Sequence, residues 1–255
     1  YKTINSGLSW QAVWRGDSLT RYVLIDPTNV NILYISTGIW DREAANSNGA
    51  ANIPGGMGIL KSIDGGATWR QINKGLNNLY IGSLFMHPTN PSILIAGAGA
   101  GVSSSVFLLG SGAYLTVDGG EHWTQVLETG DTLDSIMPIT SVEFSTKDLN
   151  VAYAGGIGFW RSDDGGWNWT PYLGNYGMWG PPGIRNGVVI DFQADPRNPL
   201  RLFANNYNGG NILSENGGQT WIYSTTGYTG AEVTSLTIDP RNSALVYASE
   251  KGNPF

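Results

Sequence analysis

The 255-residue chain contains no cysteine. It therefore forms no disulfide, and thiol catalysis and cysteine-based metal sites are excluded as well. Only two histidines are present, and both His87 and His122 fall in turn segments. A histidine pair for metal binding or base catalysis is not expected from such positions. We predict that the chain carries neither a metal site nor a cofactor.

Charge is also scarce, because only 13% of the residues are charged and the formal net charge is −6. There is no run of Lys and Arg, so the sequence favours neither nucleic acid nor an anionic membrane surface as a partner. No apolar stretch approaches the roughly 18 residues of a membrane-spanning helix, and we expect no membrane insertion. A sustained apolar stripe of helical period is missing too, which predicts almost no helix.

What the chain does contain is one eight-residue phrase in five copies, Ser/Thr-x-Asp/Asn-x-Gly-x-x-Trp, called the box below. The final tryptophans follow one another at steps of 59, 54, 46 and 52 residues. A repeat of this length indicates a propeller, a solenoid or an array. The Asp or Asn can bond backbone N–H groups to close a turn, the Gly supplies a permissive backbone angle, and the Trp buries apolar surface. We therefore assign a structural role to Asn5, Trp10, Asp64, Trp69, Asp118, Trp123, Asp164, Trp169, Asn216 and Trp221.

A second phrase, with apolar residues on both sides of Asp-Pro-x-Asn, alternates with the boxes. Its copies begin at Val23, Leu84, Phe192 and Leu236, with a degenerate copy at Val142. Asp-Pro is turn chemistry and the flanks are rich in strand-forming residues, so each copy predicts two strands joined by a tight turn. One unit then reads as strands A, B, C and D, with the two phrases at the A–B and C–D turns. Four antiparallel strands per unit make a propeller blade.

The box is the signature of the Asp-box, or BNR-repeat, propellers, and the chain resembles this group over nearly its whole length. The group includes sialidases, xyloglucan-cleaving glycoside hydrolases, sortilin-type receptors and several non-catalytic propellers. The resemblance implies an all-β fold, a β-propeller of four-stranded antiparallel blades with Asp-box turns. We expect about five blades that are part of a larger propeller. The resemblance does not select an activity, because one fold hosts many functions.

We interpret residues 1–255 as a single β-propeller with units of about 11–69, 70–123, 124–169 and 170–221. The last unit is split, since residues 222–255 supply strands A and B and residues 1–10 supply a strand C and a box. The chain is then either a piece of a longer propeller or a five-bladed ring closed by pairing of the two halves. We favour the first interpretation, because short chain ends seldom pair without support.

On repeat folds, function tends to gather where insertions vary, which here is the edge with the B–C and D–A loops. The longest B–C loop, Thr37–Gly58, carries Trp40, Asp41 and Glu43. The xyloglucan-cleaving family has a catalytic Asp after a comparable strand B. The resemblance therefore implies that Asp41 is catalytic, with Trp40 and Glu43 as ligand-binding neighbours. The alternative is an ordered surface loop pinned by Trp40, with Arg42 paired to a carboxylate.

The longest D–A loop, Pro171–Asn186, carries Tyr176, Trp179 and Arg185 among Gly and Pro residues. Exposed aromatic rings on a rigid loop suit stacking on sugar rings, so we treat these three residues as ligand-binding candidates. Tyr207, which follows the fourth strand B, joins them. Alternatively, the aromatic rings cover the channel mouth or pack against a neighbouring blade.

Strand A of each unit is expected to line the central channel of a propeller. Alignment of the Asp-Pro turns places five residues at one depth: Tyr22, Ser83, Ser141, Asp191 and Ser235. Asp191 is unusual there as a carboxylate, and so is Glu143 in a neighbouring layer. We take Asp191 as a second catalytic candidate, because a glycosidase needs two carboxyl groups. The alternative is a solvated carboxylate in a wet channel.

Two functions remain open, and so does the question of whether the chain is an enzyme. The first is a recognition or scaffold module that binds a glycan or a protein partner on the B–C/D–A loop face, or the rest of a longer propeller chain. The second is a glycoside hydrolase resembling the xyloglucan-cleaving enzymes, with acid/base hydrolysis by two carboxylates. We expect a secreted bacterial protein, extracellular or at the cell surface, a setting in which cysteine is often absent.

Other members of the group fit the sequence less well. A sialidase would need three converging arginines and an activated tyrosine, and no such set is visible. A sortilin-type receptor carries a disulfide-rich module, which a chain without cysteine cannot form. A cofactor-assembly factor of the kind found near photosystems would need basic patches, and these are sparse here.

Overall fold

The computed structural model describes residues 1–16, 20–38, 56–99, 110–129, 138–156, 158–172, 189–206, 211–227 and 232–251. All regular structure in these ranges is β, arranged as four four-stranded antiparallel sheets and one two-stranded sheet. The same ranges hold no helix, and hence none of a length and apolarity that would cross a membrane.

Each four-stranded sheet is a blade in which consecutive strands pair in chain order. Blade 1 consists of β1 (Thr20–Ile25), β2 (Leu33–Thr37), β3 (Ile59–Ser62) and β4 (Arg70–Gln71). Blade 2 consists of β5 (Ile81–Met86), β6 (Leu94–Ala98), β7 (Gly112–Thr116) and β8 (Thr124–Glu128). Blade 3 consists of β9 (Ile139–Phe144), β10 (Ala152–Gly156), β11 (Phe159–Ser162) and β12 (Thr170–Pro171). Blade 4 consists of β13 (Val189–Ala194), β14 (Leu202–Asn206), β15 (Asn211–Ser214) and β16 (Ile222–Tyr223).

The remaining sheet is a hairpin of β17 (Glu232–Ile238) and β18 (Val246–Lys251), called the C-terminal hairpin below. The first strands of successive units, β1, β5, β9, β13 and β17, pack side by side and are called the inner strands. This arrangement of antiparallel four-stranded blades around shared inner strands is a β-propeller, which confirms the predicted fold class.

The apolar core lies between blades rather than within one of them. Tyr34 of blade 1 packs with Leu84, Leu94 and Trp123 of blade 2. A second cluster joins blades 2 and 3, a third joins blades 3 and 4, and a smaller one joins blade 4 to the C-terminal hairpin. Because the middle blades pack against neighbours on both sides, β9 is buried over its whole length and β5 over its first four residues.

The two halves of the split unit are not paired with each other in the described part of the chain. Residues 1–16, called the N-terminal segment, form an extended turn in which Lys2 and Gln11 bridge antiparallel. β18 pairs with β17 over six residue pairs, and no further strand is attached to it in those ranges. Within the described residues, β18 is therefore the outermost strand of the last sheet.

Candidate functional site

The boxes form the turns between the third and fourth strands, and their hydrogen bonds repeat from blade to blade. In blade 1, the Ser62 hydroxyl donates to Asp64 Oδ1 at 2.8 Å and accepts from Gly66 N at 2.8 Å. Asp64 also accepts from the backbone N–H of Thr68 at 2.8 Å and from its hydroxyl at 2.5 Å. The other boxes repeat this pattern around Asn5, Asp118, Asp164 and Asn216.

These bonds stabilise the ionised form of the box carboxylates. Hydrogen bonds from the Thr68 side chain and backbone lower the pKa of Asp64 to about 2. The backbone and side chain of Asn168 lower the pKa of Asp164 to about 2 in the same way. Partial burial would raise the pKa of Asp118, but bonds from His122 and Thr116 outweigh it and bring the value to about 2. Each box carboxylate thus accepts several hydrogen bonds from residues of its own turn.

In the four boxes that belong to blades, the first glycine joins the two turns of the blade at one edge. Gly65 N donates to Asn31 O at 2.9 Å, and Gly119 N donates to Ser92 O at 2.8 Å. Gly65 has a φ of 71°, which a residue with a Cβ adopts only under strain. The A–B and C–D turns therefore lie together, and the B–C and D–A loops leave from the opposite edge.

The box tryptophans differ in their surroundings. Trp123 and Trp221 are buried, Trp69 and Trp169 are partly buried, and Trp10 is largely exposed. The Trp123 indole N–H donates to Ile72 O of the preceding blade at 2.7 Å. The Trp69 indole makes the equivalent bond to Val13 O of the N-terminal segment at 3.0 Å.

Seven predicted site residues lie outside the described residues: Trp40, Asp41, Glu43, Tyr176, Trp179, Arg185 and Tyr207. Of the residues proposed for catalysis, Asp191 on β13 is the one that the structure positions, so the candidate site is built from the inner strands around it.

Asp191 occupies a position at which side chains link one inner strand to the next. Ser83 Oγ accepts from Val142 N at 3.0 Å, and Ser141 Oγ accepts from Phe192 N at 3.3 Å. Asp191 Oδ2 accepts from Leu236 N of β17 at 3.3 Å in the same manner. Its other oxygen, Oδ1, accepts from the Ser141 hydroxyl at 3.3 Å. Asp191 thus makes a bond that serine makes elsewhere, and it adds a charge.

Glu143 makes a similar link one layer away, because its Oε2 accepts from Ala194 N of β13 at 3.1 Å. Glu143 and Asp191 are only 5% and 8% exposed. Burial raises the pKa of Asp191 to about 6, against a lowering by Arg21 and by hydrogen bonds. Burial raises the pKa of Glu143 well above its usual range, and the charge of Asp191 raises it further. The ionised form of each carboxyl is therefore disfavoured at this place in the channel.

The two carboxyl groups line a cavity of about 370 Å³, called the channel cavity, that all five inner strands enclose. Arg21 supplies a guanidinium, and the partly buried Tyr22 has its pKa raised to about 12, first by desolvation and then by the charge of Asp191. The wall also includes Phe85, Val142, Phe192, Gln193, Ser235, Leu236 and Thr237. In the described ranges no group of three or more His, Asp or Glu side chains could hold a metal ion.

Sequence alignment brought Asp191 and Glu143 to the channel but did not predict that Arg21 joins them. Side chains alternate between faces along a regular strand, so Arg21 and Tyr22 would point apart. The register of β1 against β2 shifts between Thr20 and Val23, and both residues line the cavity. A bulge of this kind re-aims a side chain. An equivalent shift in β13 lies between Val189 and Phe192, at Asp191.

No protein-family model matches the chain, and no curated protein matches it. Several solved structures are similar to the chain. An ancestral GH74 enzyme superposes with a TM-score of 0.66 and 20% identity, over 94% of this chain and 30% of that one. The GH74 xyloglucanase from Xanthomonas campestris superposes with a TM-score of 0.59 and 16% identity, over 89% and 33%. YCF48 bound to a D1 peptide superposes with a TM-score of 0.53 and 15% identity, over 91% and 64%.

At these identities the likeness shows the fold alone, a β-propeller. The chain spans about a third of the length of the two GH74 structures and less than two thirds of the YCF48 chain. The similar structures include enzymes as well as a protein bound to a peptide. The shared fold therefore leaves the choice between catalysis and recognition to the chemistry of the site.

Proposed function

We propose that the chain is an extracellular propeller module that recognises a glycan, with the channel cavity receiving a sugar unit of the ligand. The observation that carries the proposal is the cavity itself. Its volume of about 370 Å³ falls in the range of roughly 300–1,000 Å³ usual for ligand pockets. Its polar groups come from separate strands and converge on one space.

The polar groups suit a neutral ligand with many hydroxyls. The ionised Asp191 accepts hydrogen bonds, the Arg21 guanidinium donates them, and Gln193 does both. The rings of Tyr22 and Phe85 supply apolar surface beside these groups, which matches the C–H face of a sugar ring. A cavity of one charge sign would favour an ion instead, but here Arg21 balances Asp191.

The fold likeness supports a first choice of ligands. One similar structure is a xyloglucanase, so xyloglucan oligosaccharides and β-glucan oligosaccharides form the first panel for binding. Binding is measured by isothermal titration calorimetry on the parent chain at several pH values. We expect affinity to rise between pH 5 and pH 7, because Asp191 ionises near pH 6 and its carboxylate then accepts ligand hydroxyls.

The matched variant is Asp191→Ser, since serine at this position keeps the link to the next inner strand, as Ser83 and Ser141 show. We expect D191S to weaken binding at least tenfold and to abolish its rise with pH. Asp163→Ser, on an exposed box turn, is the control and leaves affinity unchanged. Equal affinity of D191S and the parent, or no binding by any member of the panel, would refute the proposal.

The hydrolase remains a second candidate because two buried carboxyls with raised pKa values face one cavity. A glycosidase needs one protonated and one ionised carboxyl, and a raised pKa favours the protonated form that the general acid requires. Against it, oxygens of both groups are already bonded to the backbone of the next inner strand. Release of reducing sugar from the panel, lost in D191S and in Asp41→Asn, would favour hydrolysis over recognition.

A further inference from the structure

His122, in the box of blade 2, links two other polar side chains where blades 1 and 2 meet. Its Nδ1 lies 2.8 Å from Asp118 Oδ2, and its Nε2 lies 2.7 Å from Lys74 Nζ. Lys74 and His122 are both exposed, so small molecules in the solvent can reach them. The contact with Lys74 is not part of the box pattern. The three residues are called the Lys74 triad below.

The box determines which nitrogen of the imidazole carries the proton. In two other boxes, the Thr68 hydroxyl and the Asn168 side-chain amide each donate to the second oxygen of the box carboxylate, at 2.5 and 2.6 Å. His122 stands at the same place in its box, so its Nδ1–H is the donor to Asp118 Oδ2. A neutral imidazole with a protonated Nδ1 has a lone pair on Nε2. His122 therefore presents an acceptor, and a base, to the amine of Lys74.

Main-chain contacts hold Lys74 beside this imidazole. Trp123, the residue after His122, donates from its backbone N–H to Lys74 O at 2.8 Å and from its indole to Ile72 O at 2.7 Å. Gly75 has a φ of 94°, and a Cβ on it would lie 2.0 Å from Trp123 O, so the two backbones are in direct contact. The Lys74 side chain therefore starts from a fixed position next to His122.

An amine next to an unprotonated imidazole suits the reaction of a lysine with a reducing sugar. The amine adds to the sugar aldehyde and water leaves, which gives an imine. A base then removes the proton from the sugar carbon next to the imine carbon, and a proton is returned to the imine carbon itself. The product is a stable ketoamine. The sum is lysine plus aldose giving ketoamine plus water, so neither an oxidant nor a reductant is required.

We propose that Lys74 is a glycation site for aldoses and that His122 is the base of the rearrangement. The carbon that loses the proton is joined to Nζ through the imine carbon alone, and Nε2 lies 2.7 Å from Nζ, so the base is within reach. Asp118 stabilises the imidazolium that forms, through its bond to Nδ1–H. Partial burial raises the pKa of Asp118, but bonds from His122 and Thr116 bring it to about 2, so the carboxylate is ionised when the proton arrives.

Two other lysines show what distinguishes Lys74. Lys61 Nζ donates to Gly119 O at 2.8 Å, and its side chain is only 11% exposed, so a sugar reaches it poorly. Lys147 lies on the turn between β9 and β10 and is exposed, as Lys74 is. In the described part of the chain no hydrogen bond joins the Lys147 ammonium to an imidazole. Lys147 is therefore an internal reference, an exposed amine without the base.

Incubation of the protein with glucose, followed by peptide mapping with mass spectrometry, measures the ketoamine at each lysine. The buffer contains no phosphate, because phosphate can itself accept the proton. We expect the ketoamine to accumulate about tenfold faster at Lys74 than at Lys147. His122→Asn and His122→Thr keep a donor to the box carboxylate, as Asn168 and Thr68 do, but remove the base. In both variants the rate at Lys74 should fall to that of Lys147. Equal rates at the two lysines of the parent, or an unchanged rate at Lys74 in both variants, would overturn the proposal.

Addition of cyanoborohydride separates the effect of the base from that of the amine. This reagent reduces the imine as it forms, so no proton has to leave the sugar and His122 has no part in the labelling. We expect Lys74 and Lys147 to be labelled at similar rates under these conditions, in the parent and in both variants. A preference for Lys74 that persists would come from exposure or amine reactivity and would contradict the role of His122. Asp191→Ser should form the Lys74 ketoamine as the parent does, because the Lys74 triad lies outside the channel cavity. Loss of the adduct in D191S would contradict a site that acts without the cavity.

Discussion

The fold lowers the pKa of the carboxyl groups in the box turns and raises the pKa of those in the channel cavity. Asp64, Asp118 and Asp164 sit at the outer turns, where several donors surround each group and lower its pKa to about 2. Asp191 and Glu143 sit between inner strands, where burial dominates and the pKa is raised. The ionised form is thus favoured at the first place and disfavoured at the second.

This difference separates groups that stabilise the fold from groups that cost it stability. A box Asp contributes most when ionised, because its turn is built to donate to a carboxylate. A channel carboxyl makes one or two bonds that a neutral side chain also makes, as Ser83 and Ser141 demonstrate. Asp191 carries a charge where serine serves in two other inner strands, and Arg21 offsets only part of the cost of its burial, which is the reason for basing the proposed ligand site on it.

The largest expected effect comes from removal of that charge. In Asp191→Ser the link to Leu236 N is kept and the buried carboxyl is gone. The folded pKa of Asp191 is raised from 3.8 to about 6, so the stability of the parent falls as the pH rises from about 4 to about 6. We expect D191S and the parent to be equally stable near pH 3.5. At pH 7.5 the variant should be more stable by up to about 3 kcal/mol.

Urea unfolding at a series of pH values measures this difference. Asp163→Ser serves as the control, since Asp163 lies on an exposed turn and pairs with Arg161 at the surface. Its curve should run parallel to that of the parent between pH 4 and pH 7. If the D191S curve also runs parallel to the parent, burial of Asp191 carries no cost and the contrast between the two regions disappears.

A smaller effect of opposite sign is expected at the box. Asp164 accepts from Asn168 N at 2.8 Å, from Trp167 N at 3.1 Å and from the Ser162 hydroxyl at 2.8 Å. Asp164→Ala removes these three bonds and a fourth from Asn168 Nδ2, and we expect a loss of about 1–2 kcal/mol at pH 7 for a turn that water can reach. Because the folded pKa of Asp164 is about 2, its contribution should fade as the pH falls from about 4 to about 2.

The neighbouring variant Asp163→Ala tests whether the loss of any carboxylate from this turn destabilises the protein to the same extent. Asp163 forms a surface ion pair with Arg161 at 2.7 Å, and such pairs contribute roughly 0–1 kcal/mol. Chemical denaturation at pH 7 and pH 3 compares the two variants. Equal losses in D164A and D163A would show that the box geometry gives its carboxylate no special role.

The sequence predicted the parts of this fold that depend on neighbours along the chain. The turn phrases predict their own geometry, because the donors to Asp64 lie within four residues of it. The strands between them follow from their apolar content, and the four-stranded blades are confirmed. Alignment of Tyr22, Ser83, Ser141 and Asp191 succeeded for the same reason, since each stands at a fixed distance from its turn.

Features that depend on distant residues could not be predicted in this way. The bond from Leu236 N to Asp191 joins positions 45 residues apart, and nothing local to either one indicates it. The approach of Arg21 to Asp191 joins the first inner strand to the fourth, and nothing local to Arg21 indicates it. The exposure of Val23 cannot be read from the residues around it in the sequence, because the equivalent residues Leu84 and Val142 are buried.

The smallest expected effect comes from a substitution within a box, which tests whether the charge of the box carboxylate stabilises its turn. Asn216 stands where Asp64 stands, and the partners match, with Ser214 and Thr220 in place of Ser62 and Thr68. Asn216 Nδ2 donates to the Thr220 hydroxyl, whereas Asp64 accepts from that of Thr68. Asn216→Asp should reverse this bond and add a charged acceptor. We expect a gain of about 0.5 kcal/mol at pH 7, reduced by the adjacent Glu215 and absent near pH 2.5. A gain that persists at pH 2.5 would show that ionisation of the box residue is not what stabilises the turn.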